Sequence, residues 1–151
     1  MRGIGAPFPG VQHSRCDGRP SYSRAVASER RRRWRDYRTR AGRRPVREFL
    51  RDLSDADLAA VVAAMKEVAV DGLVAARHLR GDIYEVRADG ERVTYRLLFA
   101  TEGRRHQVLL GLEAFGKKTQ TTPPREIALA ERRLRDWRSR ARQGTPDPSQ
   151  I

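Results

Sequence analysis

Lys117 and Lys118 stand side by side in a chain of 151 residues whose only other lysine is Lys66, against 29 arginines. They lie in the run Phe115-Gly116-Lys117-Lys118-Thr119-Gln120-Thr121-Thr122-Pro123, the densest polar constellation in the sequence. An ammonium on a flexible stem can hold a phosphate or, crowded by other cations, pass on a proton; a guanidinium keeps its proton. Phosphate binding or proton transfer is one reading of the pair, and a solvated loop before a capped helix is the other. Arg87 ends one short apolar run, and Arg96 sits inside the next, on the face opposite Tyr95 and Leu97. An arginine so placed must reach water, a carboxylate or a ligand. Pairing with Glu85 across a hairpin would satisfy it, as would a shallow basic groove shared with Arg87 and the two lysines. His78, in Arg77-His78-Leu79-Arg80-Gly81, is either a general base or a bystander in a loop. There is no Ser/His/Asp spacing, glycine-rich phosphate loop or paired-carboxylate motif. Three histidines and one cysteine, Cys16, give no zinc spacing and no internal disulfide, so neither a metal nor another cofactor is expected.

The elements that must position these residues follow from hydrophobic period. Val46, Phe49, Leu50 and Leu53 recur at helical spacing after Pro45. Ser54 reads as the cap of a second helix, with Asp57 at the third position of a capping-box-like start. Leu58, Val61, Val62, Met65 and Val68 form its stripe and Gly72 its terminator, giving a helical hairpin. The period then shortens to two. Ile83–Arg87 is a strand, Ala88-Asp89-Gly90-Glu91 a turn, and Arg92–Ala100 a second strand; Glu102-Gly103-Arg104 turns into a third, His106–Phe115. Tight turns between sequential strands make an antiparallel meander. Thr122 is expected to cap a last helix that starts at Pro123-Pro124 and docks Ile127, Ala130, Leu134 and Trp137. A short strand around Trp34–Thr39 would complete the sheet. The fold class is α+β, with a helical hairpin and a C-terminal helix packed on a small antiparallel sheet.

Charge divides the chain further. Residues 1–45 carry 13 arginines against three acids, whereas residues 46–143 carry 19 basic and 15 acidic side chains. Residues 1–30 show no apolar period and read as a disordered basic extension, residues 31–143 as the folded domain and residues 144–151 as a disordered tail. The run Arg30–Arg33 is either a solvated tail or an arm gripping RNA phosphates. A net charge of +13 points to a polyanionic partner. No apolar run is long enough to span a membrane and no secretion signal precedes the domain, so a cytoplasmic protein is expected.

The series His78-Leu79-Arg80-Gly81-Asp82-Ile83-Tyr84-Glu85-Val86-Arg87, then Tyr95-Arg96-Leu97-Leu98-Phe99, then Phe115 to Ile127 resembles the RelE/HigB-like toxins of type II toxin–antitoxin systems, in their phage-derived branch. Arg44-Pro45-Val46-Arg47-Glu48-Phe49-Leu50 fits the same family's early segment, and the likeness runs over about residues 31–140. The resemblance implies a RelE-like sheet with a helical hairpin, ribosome-dependent cleavage of mRNA, and an antitoxin that blocks it. It also implies metal-independent chemistry in which the RNA 2′-hydroxyl attacks the adjacent phosphate. By position, Arg87, Arg96, Lys117 and Lys118 would take the catalytic roles, with His78, Arg80, Thr119 and Gln120 along the RNA, lying across an exposed sheet face. The competing reading is a basic nucleic-acid-binding protein without catalysis, using the same arginines as phosphate clamps.

Overall fold

The computed structural model describes residues 32–144. Five strands, β1 (Arg33–Asp36), β2 (Arg77–Arg80), β3 (Ile83–Asp89), β4 (Thr94–Glu102) and β5 (Val108–Lys117), form one sheet in the order β1-β5-β4-β3-β2. Three helices, α1 (Pro45–Arg51), α2 (Asp55–Asp71) and α3 (Pro124–Arg142), accompany it. The meander β3-β4-β5 is antiparallel, as two-residue alternation and tight turns require. β1 departs from the expected all-antiparallel sheet: it pairs parallel with β5, Trp34 beside Leu109. The long connection that a parallel neighbour needs is supplied by the helical hairpin together with β2, β3 and β4, which all lie between β1 and β5 in sequence.

Helices cover both faces of the sheet. Val46 of α1 and Val68 of α2 pack with Val86, Leu97, Phe99, Leu109 and Ala114. On the other face Ala130 and Leu134 of α3 pack with Ile83, Leu98, Ala100, Leu110 and Leu112, and Ile127 and Trp137 join them. The exposed sheet face expected for RNA is therefore absent among the described residues. Whatever binds must use the strand ends and the loops beyond them.

Three local assignments change. Arg77–Arg80, expected as loop, is edge strand β2, antiparallel to β3. Ser54 does cap α2, accepting from the backbone N–H of Asp57 at 3.2 Å. The Asp57 carboxylate, however, reaches away to the β3–β4 hairpin, accepting from Tyr95 Oη at 2.6 Å and from the Glu91 backbone N–H at 3.0 Å. These two donors hold its carboxyl below the usual range. Finally, Thr122 does not cap α3; Pro123 occupies that position, and the Thr122 hydroxyl is turned into the protein. Residues 1–30, expected to be disordered, lie outside the described residues, as do Arg30 and Arg31 of the basic run and all of the expected tail but Gly144.

Candidate functional site

Alternation along β3 puts Ile83, Glu85 and Arg87 on the α3 face, and the β3–β4 register sets Arg87 directly opposite Arg96. On β5, Phe115 lies beside Arg96 and Lys117 beside Thr94 at the end of the ladder. The chain then turns through residues 118–123 into α3. This turn folds back onto the strand ends and meets the two arginines there.

The polar centre is Glu85, whose side chain is fully buried. Its Oε1 accepts from the Thr122 hydroxyl and, at 3.3 Å, from Arg96 Nη1; its Oε2 accepts from Arg87 Nε at 2.8 Å. Arg96 also donates to Thr122 Oγ1 at 2.6 Å and, through Nη2, to the carbonyl of Thr119. Its side chain is 1% exposed, so it contacts no solvent phosphate. The groove expectation for Arg96 is corrected here in favour of the Glu85 pairing: two charges share a strand face where the helix and the turn exclude water. Arg96 Nε, buried with them, has no acceptor.

Arg87 differs. Its side chain is 31% exposed, its Nε is held by Glu85, and its Nη2 donates to the carbonyl of Gln120 at 3.1 Å. Nη1 has no hydrogen-bond acceptor among the described residues. Lys117 is half-buried and Lys118 exposed, and neither meets a carboxylate among the described residues. Thr119 and Gln120 are exposed in the same turn and contribute backbone carbonyls to its anchoring. The structure thus brings together Arg87, Lys117, Lys118, Thr119 and Gln120, with Arg96 beneath them.

It does not bring His78 and Arg80 into this cluster. His78 pairs in register with Tyr84, whose ring belongs to the opposite face, and its ring tilts against Tyr84 at 5.1 Å. Its Nε2 is hydrogen-bonded with the Gly81 carbonyl at 2.7 Å. Arg80 is committed to Glu131 of α3 through two bonds of 2.9 and 2.7 Å. One residue of the site was not legible as such in the sequence: Thr-Pro-Pro is a common helix start, so Thr122 reads as a cap, whereas its hydroxyl turns inward to Glu85.

Chemically the cluster carries a net positive charge, which an anion would neutralise. One buried carboxylate faces two guanidiniums, leaving positive charge that the lysines extend to the surface. Among the described residues no group of His, Cys, Asp and Glu is arranged to hold a metal ion. None of the helices there is long and apolar enough to cross a membrane.

A mostly antiparallel five-stranded sheet with a helical hairpin on one face and a long helix on the other is the RelE-like α+β architecture. A family model described as Phage derived protein Gp49-like (DUF891) matches residues 48–135, from α1 into α3. The chain belongs to that family, which is part of the RelE/HigB-like toxin group. No curated protein matches the chain.

Proposed function

We propose that the protein is the toxin of a type II toxin–antitoxin pair and a metal-independent endoribonuclease that cuts mRNA on the ribosome in the cytoplasm. The observation that carries this reading is Arg87: a partly exposed guanidinium held by two internal acceptors, near two lysines that, among the described residues, have no carboxylate partner. A scissile phosphate would sit there. The RNA 2′-oxygen would attack the adjacent phosphorus, forming an O2′–P bond as the P–O5′ bond breaks. The 2′-hydroxyl proton leaves to a base, and the 5′-oxygen gains one. Negative charge grows on the phosphate oxygens on the way, where Arg87, Lys117 and Lys118 stabilise it. Lys117 and Lys118 would be the groups that take part in proton transfer. Arg96 works from beneath, through the turn it anchors. Thr119 and Gln120 line the RNA next to the phosphate, and His78 and Arg80, on the β2 edge, belong to this reading only as outer contacts.

Membership of the toxin group and the strong positive charge support an antitoxin partner that covers this surface. Expressing the chain alone and together with its neighbouring gene tests the pair. Growth arrest with loss of message, relieved by the neighbour, is expected. Arrest with intact message would favour the non-catalytic nucleic-acid binder instead.

A further inference from the structure

Charge-charge pairing alone does not require the arrangement around Glu85. One arginine suffices to neutralise a buried carboxylate, and Arg96, equally buried, is already there. Glu85 nevertheless divides its two oxygens. Oε1 faces inward, to Arg96 and Thr122, while Oε2 takes Nε of the partly exposed Arg87. Glu85 and Arg87 are two residues apart on one strand face, so this contact needs no tertiary rearrangement. The Gln120 carbonyl fixes the guanidinium at a second point. A long side chain that would otherwise sample many rotamers is thus ordered before any ligand arrives, and among the described residues Nη1 alone of its nitrogens has no acceptor.

We propose that Glu85 is the positioning residue of this site, orienting Arg87 so that its unpartnered Nη1 meets the phosphate of a bound RNA. The inference rests on the nuclease reading above and deepens it. A donor fixed in advance at the place where charge develops needs no reorganisation during the reaction, which favours the transition state over the ground state. Losing Glu85 would leave the positive charge of Arg87 in place but unaimed. Turnover should therefore fall while substrate binding, which depends on total charge, should not.

The test uses the full chain on message-loaded ribosomes. Glu85→Gln keeps the shape and removes the charge. We expect kcat to drop about a hundredfold with KM within about threefold of wild type. In an Arg87→Ala background the same substitution should cost far less than it does alone, because the part of its effect that runs through Arg87 is already lost. A folded Glu85→Gln protein that cuts at the wild-type rate overturns the proposal, as does a loss that adds in full to that of Arg87→Ala. If Glu85→Gln does not fold, Arg87→Lys decides: lysine keeps the charge but cannot hold both acceptors, so it should be as slow as Arg87→Ala. Wild-type rates from Arg87→Lys would refute the need for orientation. Should the wild-type chain cut no message at all, the nuclease reading falls separately. The positioning claim is then read from NMR exchange of the Arg87 Nε–H, expected to be slow in wild type and fast in Glu85→Gln. Fast exchange in wild type overturns it.

Discussion

Replacing Arg96 by alanine should unfold the domain more readily than any substitution of an exposed cation. The Arg96 and Glu85 side chains are 1% and 0% exposed, so the substitution leaves a carboxylate in a site without water. Removing one partner of a buried pair costs about 3–5 kcal/mol. Here the lower end applies, because Arg87 still donates to Oε2. The lost bonds to Thr122 and to the Thr119 carbonyl also free the turn before α3. Against a urea dependence of about 1.5 kcal/mol per molar, a loss of about 3 kcal/mol moves the midpoint down by roughly 2 M. Equilibrium urea unfolding followed by tryptophan fluorescence measures this directly, with Lys118→Ala as a control expected to stay within about 0.5 kcal/mol of wild type. In a Glu85→Ala background the same arginine substitution should cost far less, since the orphaned charge is gone. An Arg96→Ala protein with the wild-type midpoint would refute the buried network. Growth arrest lost through Arg96→Ala is thus expected to reflect a loosened turn and a weakened fold.

Other expectations concern the scaffold. Trp137 packs with Leu134 against the α3 face of the sheet, so Trp137→Ala should lower stability by about 3 kcal/mol in the same unfolding assay. Asp57 has a depressed pKa in the fold, chiefly through the Tyr95 hydroxyl, so its contribution is present above the unfolded carboxylate value near 3.9 and fades as pH falls through the lower folded value. Tyr95→Phe should flatten that acid limb of the stability–pH curve, and an unchanged limb would remove Asp57 from the account. A chain beginning at Arg31 should melt at the wild-type temperature, because residues 1–30 carry no apolar period in sequence; a drop of many degrees would give them a structural role.

The parts of the fold legible in sequence are those with a strong period. The α1–α2 hairpin, the β3-β4-β5 meander and the Ile127–Trp137 stripe all bury one side chain in two or in three to four, and each forms where its spacing falls. β2 was not legible, because Arg77-His78-Leu79-Arg80 has a single apolar residue and its pairing comes entirely from β3. β1 was visible as a strand, but strand direction is set by the crossover and leaves no trace in four residues. In the site, the residue types and the turn around Lys117 and Lys118 were readable, and Glu85 was among the expected partners of Arg96. What could not be read was which of two satisfactory partners, carboxylate or ligand, Arg96 would take. That choice depends on how closely residues 118–123 fold over the strand ends, a tertiary contact spanning 37 residues between Glu85 and Thr122.

Cleavage of a defined message on purified ribosomes, with fragment ends mapped, tests the central claim most directly. The account predicts cuts at discrete positions ending in 2′,3′-cyclic phosphate. It also predicts that Arg87→Ala, still folded, slows them about a hundredfold. Intact message with the wild-type protein, or cutting that survives the loss of Arg87 unchanged, would contradict it.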